Sequence, residues 1–387
     1  MAVEKKTSEK TGLNAVIKKV AKECIKCNKC FDECRFVRKY GKPGEIADKC
    51  NPRDFNSLKI AFECSLCGLC ESVCPAGVDP VSMFIGMRRE AARQKKGILK
   101  KYTGLIAYEK TGTSKRFSWY GFPDGCDSIF FPGCTLPGTR PETTFNLYKY
   151  LKQAVPGIGI VLDCCTKPSH DLGREDFFYS MFGEMTDYLK EQGIKHIFAA
   201  CPNCYRVFRE YGKDFSVQQV YELIMEKGPP TEPNRISGTV TVHDPCVVRH
   251  EKDSHEAVRG LIRQAGLDIS EMSHSGEKTI CCGEGGAVSN ASSELAGNWV
   301  KLRQKEKNGT RIITYCAGCA GRLSRTMPAS HLLDLLFTPD AVMAGKEKVS
   351  RHPFTYWNRL RLKKRLKKDR DIVVSRERNF PGRKRID

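Results

Sequence analysis

Two groups of four cysteines carry the first chemistry of this chain. Cys24, Cys27, Cys30 and Cys34 (CIKCNKCFDEC) and Cys64, Cys67, Cys70 and Cys74 (CSLCGLCESVCP) share C-x2-C-x2-C-x3-C spacing. Three thiolates placed so closely can wrap three irons of one cubane, and the fourth, carried off by a helical turn, reaches the other cluster. On that reasoning Cys24, Cys27, Cys30 and Cys74 hold one [4Fe–4S] cluster, and Cys64, Cys67, Cys70 and Cys34 hold the second. Two zinc sites would prefer separated C-x2-C pairs.

Ten further cysteines form a second system. Cys134, the adjacent pair Cys164 and Cys165, and Cys201 with Cys204 (CPNC) are followed by Cys246, the adjacent pair Cys281 and Cys282, and Cys316 with Cys319 (CAGC). From Cys134 to Cys246 the offset is 112 residues, from Cys164 to Cys281 it is 117, and from Cys201 to Cys316 it is 115, which marks an internal duplication. Neighbouring cysteines make a poor disulfide. They also cannot easily reach separate corners of one cube, and five thiolates are one too many for it. A more open cluster, with extra thiolates on its irons or a thiolate bridging them, would use all five. Gly283, Gly285 and Gly286, after the second pair, read as letting the backbone approach such a cluster and donate N–H groups to its sulfurs, or as an ordinary tight turn, or both.

Alternating strands and helices must position these sulfurs. Most of the sites follow a short β-rich run: SIFFPG before Cys134, GIGIVLD before Cys164, KHIFAA before Cys201, GTVTVHDP before Cys246, KTI before Cys281 and RIITY before Cys316. Between them lie helical patterns. Phe178, Met181, Phe182, Met185 and Leu189 make one apolar face, with Gly193 as the stop; Val258, Leu261, Ile262 and Ala265 make another, stopped by Gly266. Such alternation predicts parallel α/β units, in which ligands gather beyond the carboxyl ends of the strands.

Composition sets the frame. No apolar run of the 387 residues approaches a membrane span, and the Lys-rich start has no apolar centre or cleavage site, so a reducing cytoplasm is expected. Cysteine there means metal or redox chemistry rather than disulfides. The net charge is +20, and residues 351–387 hold 14 Lys/Arg against 4 Asp/Glu. This basic tail, with Phe354, Tyr356, Trp357, Leu360, Leu362 and Leu366 among its charges, reads as a peripheral anchor to the cytoplasmic membrane face or a membrane partner, or else as a solvated segment; docking to an acidic partner or contact with nucleic acid are further alternatives for it. Nothing else points to nucleic acid. Cys50 and Cys126 fall outside both patterns, and His170, His243 and Asp244 read as structural.

The motif C-x(n)-C-C-x(n)-C-x-x-C, present twice after a two-cluster domain, resembles the cysteine-rich CCG domain of the heterodisulfide reductase family. The order of domains is similar to that of the reductase subunit in which a helical ferredoxin domain precedes two CCG domains. It is similar also to the iron–sulfur subunits of anaerobic glycerol-3-phosphate dehydrogenase, glycolate oxidase and lactate-utilisation enzymes. The resemblance implies an α-helical ferredoxin domain over 10–105, then two duplicated α/β CCG domains over 126–235 and 236–345, and the tail over 346–387. It implies one or two noncubane [4Fe–4S] clusters on the ten cysteines, with Cys164, Cys165, Cys281 and Cys282 as cluster-bearing catalytic cysteines. It further implies a redox partner, either a flavoprotein or a membrane cytochrome or quinone-reactive protein. The expected activity is electron transfer to a disulfide held between the two CCG centres. A relay subunit of a flavin-dependent, quinone-linked dehydrogenase is the alternative, and a non-catalytic metal-binding interaction protein the third. Two departures stand out: Arg35 follows Cys34 where Pro75 follows Cys74, and Thr166 stands where the family pattern has the glycine that Gly283 supplies.

Overall fold

The computed structural model describes residues 12–230, 232 and 236–378; the start of the chain (1–11) and the last basic residues of the tail (379–387) lie outside the described residues. Residues 13–112 are helical throughout their ordered elements. The longest of these helices, Pro80–Gln94, starts where the Asp79 side chain accepts from the Ser82 N–H at 3.0 Å and where Pro80 needs no N–H partner. It buries Met83, Phe84, Met87 and Ala91 against Ile46, Leu58 and Phe62.

Among the described residues ten strands follow: β1 (Trp119–Pro123), β2 (Ser128–Phe131), β3 (Gly159–Leu162), β4 (His196–Ala199), β5 (Ser216–Gln219), β6 (Thr239–His243), β7 (Asp268–Ile269), β8 (Ile312–Thr314), β9 (Ala329–His331) and β10 (Ile372–Arg376). They form two sheets, β10–β1–β3–β2–β4–β5 and β7–β6–β8–β9. The four strands β3–β2–β4–β5 are parallel and stand in the same order as β7–β6–β8–β9, also parallel. The registers match too: Phe131 of β2 faces Ala199 of β4, and His243 of β6 faces Thr314 of β8. The predicted helices lie between the strands, at Glu175–Glu191 and Lys252–Gln264, with their apolar faces buried.

The structure differs from the sequence reading in two places. Cys281 and Cys282 do not follow a strand. Strand β7 ends at Ile269, and residues 270–280 run as a loop with one short 3₁₀ turn. Fixed side chains hold that loop: Arg249 donates to Thr279 O at 2.9 Å, and Arg303 to Ile280 O at 3.0 Å. The basic segment, in turn, is built into the fold. Helix Phe354–Leu366 packs on helix Thr135–Thr139, and β10 adds an antiparallel edge strand to β1. Several of its charges are spent internally. Lys363 donates to the carbonyls of Lys115, Arg116 and Ser118 at 2.8–3.0 Å, and buried Arg378 pairs with buried Asp163 at 2.6 Å. No helix among the described residues is long and apolar enough to cross a membrane.

Candidate metal centres

The helical domain gathers its eight cysteines in two sets. Cys30 is pushed up to about 11 by burial and by nearby Cys24, Cys27 and Cys74. Cys34 is pushed to about 12 by burial and by Cys67, and Cys70 is raised by burial and by Cys64, Cys67 and Cys34. Neutral thiols crowded this way resist losing their protons alone. A metal that takes thiolates removes the penalty. Beside Cys64 lies Arg88, wholly buried, which donates to five main-chain carbonyls: Ala61 (3.0 Å), Phe62 (3.3 Å), Cys64 (2.6 Å), Asp171 (2.8 Å) and Gly286 (2.8 Å). A buried guanidinium held by neutral carbonyls suits an anionic group next to it.

In the second repeat the strand ends and the 270–280 loop bring all five cysteines together. Cys281 contacts Cys246 and Cys282, Cys282 contacts Cys319, and Cys319 contacts Cys316. Gly283 and Gly285 donate N–H groups to the Cys281 sulfur at 3.2 and 3.4 Å, while Gly286 offers its carbonyl to Arg88. The thiols of Cys246 and Cys282, and then the two glycine N–H bonds, hold Cys281 well below the thiol range against the burial that opposes it. A side chain at Gly285 would put its Cβ 2.5 Å from the Ser65 carbonyl, because here the helical domain and the second repeat touch. Cys67 lies within electrostatic reach of Cys281 and Cys246. Arg249 fastens this junction, donating to Cys67 O at 2.7 Å and to Thr279 O at 2.9 Å, and Trp299 Nε1 donates to Ser65 Oγ at 2.9 Å.

The first repeat gathers its five as two contacts and a bridge. Cys134 meets Cys164, Cys204 meets Cys165 with sulfurs 3.3 Å apart, and Cys201 meets Cys204. Thr166 takes the left-handed conformation, φ +55°, that Gly283 takes at φ +94° in the second repeat, and its buried hydroxyl has no partner. The backbone course of the glycine is therefore kept at a cost in strain. Sequence reasoning missed Arg359. This buried residue of helix Phe354–Leu366 lies over the rings of Tyr108 and Phe117 and within electrostatic reach of Cys134. Its Nη1 has no hydrogen-bond partner.

The two repeats meet sulfur to sulfur. Cys201 lies beside Cys316, and the Tyr221 hydroxyl donates to the carbonyls that precede each, Ala200 at 2.9 Å and Tyr315 at 3.0 Å. Of the other residues that the sequence raises, His170 is structural, bonded to Asp171 at 2.9 Å and to the Tyr211 hydroxyl at 2.7 Å. Asp244 is also structural. Burial pushes it up, but Arg259 at 2.9 Å outweighs that and holds it at about 2. Cys126 is bonded to Ser128 O at 3.2 Å, away from both systems. His243 departs from the structural expectation. It is buried, both ring nitrogens lack partners, and burial together with Arg303 lowers it to about 3.

Soft donors in close sets, N–H groups aimed at sulfur and a buried cation beside them fit iron–sulfur clusters. They define an iron–sulfur oxidoreductase of the electron-transfer type. A 4Fe-4S dicluster domain matches residues 23–79, and the cysteine-rich domain named CCG matches residues 128–209 and 240–324. The chain belongs to this family of CCG-domain iron–sulfur proteins. Among curated relatives, a subunit of the dihydromethanophenazine:CoB–CoM heterodisulfide reductase of Methanosarcina barkeri is 23% identical, over 78% of this chain and 88% of its own. The probable iron-sulfur-binding oxidoreductase FadF of Bacillus subtilis is 24% identical, over 44% of this chain and 26% of its own. Among solved structures, aspartate racemase of Picrophilus torridus aligns with a TM-score of 0.23 and 11% identity, over 60% of this chain and 98% of its own, a likeness that carries no argument.

Proposed function

We propose that the chain is the iron–sulfur subunit of a redox complex, passing electrons between a partner protein and the paired CCG centres, where a disulfide is opened or formed. The eight cysteines of the helical domain would hold two cubanes in the sets given by their spacing, and each quintet a further cluster. When bound, such clusters supply one-electron steps that amino-acid side chains do not. The observation that carries the reading is a file of neighbouring sulfurs, each within contact or electrostatic reach of the next. It runs from Cys30 by Cys34 to Cys67, on to Cys281, Cys282, Cys319 and Cys316, and across the seam to Cys201, Cys204 and Cys165. Arg249 and Arg88 hold the first junction in register, and Tyr221 holds the second.

Opening a disulfide takes two electrons and two protons and yields two thiols, and two centres that meet at one seam are suited to that count. The relative named as a heterodisulfide reductase component supports this choice. A relay role beside a flavoprotein is the second reading. It is favoured by direct contact between Cys201 and Cys316, which closes the seam at that point. Peripheral attachment belongs to either reading. Phe354 and Trp357 are exposed, and a groove lined by Lys115, Arg116, Lys364 and Lys367 lies on the same segment.

The test uses anaerobically purified full-length protein, with iron and acid-labile sulfide quantified and EPR recorded. Disulfide reduction by a reduced viologen would support the leading reading. Intact clusters that reduce no disulfide but are reduced by a co-purifying flavoprotein would replace it with the relay. Zinc in place of iron and sulfide would end both.

A further inference from the structure

The least explained buried group in the molecule is the imidazole of His243. It ends strand β6, three residues before Cys246, and is fully buried. Neither ring nitrogen has a hydrogen-bond partner. Leaving a buried polar atom unpaired is costly, so two on one ring call for a compensating ligand.

The charged neighbours do not supply it. Asp244, the next residue, spends its carboxylate on Arg259, on the Tyr315 hydroxyl at 3.1 Å and on the Gly276 N–H at 2.7 Å. Arg303 faces the ring but donates to the carbonyls of His274 and Ile280, to Thr279 Oγ1 and to Met272 Sδ. Sulfur is what remains. One ring nitrogen of His243 and the sulfurs of Cys282 and Cys319 all lie within 4.8 Å of one another, and all three residues are buried. A neutral imidazole nitrogen beside two thiolates is an established donor set for iron or zinc.

The other half of the chain shows that the fold does not require a histidine there. Phe131 ends β2, three residues before Cys134, and faces Ala199 as His243 faces Thr314. It is also fully buried. The same place in the same sheet is apolar in one repeat and a nitrogen base in the other.

We infer that His243 is a nitrogen ligand to iron in the second repeat, completing with Cys282 and Cys319 a donor set that the first repeat lacks. The inference rests on the iron–sulfur reading above. It makes the two centres unequal, because an imidazole joins the thiolates of the second where the first has the ring of Phe131, and ligand identity is one of the terms that set a cluster's reduction potential.

The matched position supplies the variant, His243→Phe. Full-length protein grown with 15N-histidine is purified anaerobically, and iron, zinc and sulfide are counted before the magnetic measurement. Pulsed EPR of the reduced wild-type protein is expected to show one strongly coupled histidine nitrogen, with the coupling of a direct ligand. In His243→Phe that coupling is lost, the midpoint potential of one centre shifts, and the other centres keep theirs. Iron and sulfide present with no strongly coupled histidine nitrogen in the wild type would overturn the inference while leaving the iron–sulfur reading in place. A coupling that survives in His243→Phe would overturn it as well. Zinc without sulfide would end the iron–sulfur reading, and the inference of an iron ligand with it. If the variant fails to fold, absence of the coupling in the wild type still overturns the inference, and its presence is assigned to His243 as the histidine that groups with two cysteines among the described residues.

Discussion

The two cysteine-rich halves share one strand order and keep their sulfurs in different company. In the second, Gly283 turns the chain without strain, two glycine N–H groups reach Cys281, and Cys67 of the helical domain lies alongside. In the first, Thr166 makes the same turn against its preference, and the cation near Cys134 comes from Arg359, more than two hundred residues away in the chain. A common sheet decides where the sulfurs gather. What surrounds them is supplied from outside each repeat, by the helical domain for one and by the C-terminal segment for the other.

Four experiments would break or sharpen that contrast. The largest effect is expected at Arg88. Arg88→Met removes bonds to five carbonyls that tie the helical domain to Asp171 of the first half and Gly286 of the second. Chemical denaturation should show a loss of about 3–5 kcal/mol. The Cys64 side should release iron first, and equal retention in both halves would disprove the tie.

Next comes Glu109, buried beside Cys164 and raised by burial to about 7. A carboxyl that binds its proton more tightly when folded stabilises at low pH. That stability is present below about 4.5 and is lost as pH rises through about 7, on the order of 3 kcal/mol in all. Glu109→Gln should flatten the melting temperature across this window, and an unchanged slope would assign the pH dependence elsewhere.

A smaller effect is expected at the two turns. Thr166→Gly should stabilise by about 1 kcal/mol, since it relieves a left-handed β-branched residue and removes an unpartnered hydroxyl. Gly283→Ala should do the reverse, its Cβ meeting the Ala296 carbonyl at 2.7 Å. The same sign for both changes would mean that the turns are not equivalent. Least disruptive is Arg359→Gln. A cation favours the reduced, more negative state of a nearby cluster, so its loss should lower the midpoint potential of the first-half centre, with partial recovery in Arg359→Lys. A potential that moves in the second half instead would misplace the residue.

Much of this was legible in the sequence because cysteine spacing is local and chemically specific. The offsets between Cys134 and Cys246 and between Cys201 and Cys316 carried the repeated parallel sheets, and the apolar face from Phe178 to Leu189 carried its helix. The loop before Cys281 was hidden because KTI has strand-like composition, while the hydrogen bonds that deny it a strand come from Arg249 and Arg303, distant in the chain. The basic segment misled for a related reason. Lys363 and Arg378 look like solvated charge until the carbonyl cage and Asp163 that hold them are known. His243 looked structural because a sequence gives a ring's neighbours along the chain but not whether they already have partners.

Strand β10 has one more consequence. It borders the first sheet yet is encoded after the whole of the second, so during synthesis the later sheet can close while the earlier one still waits for its rim. Maturation of the two halves would then run opposite to their order in the gene, and a ribosome stalled before residue 372 would leave the earlier half unsealed.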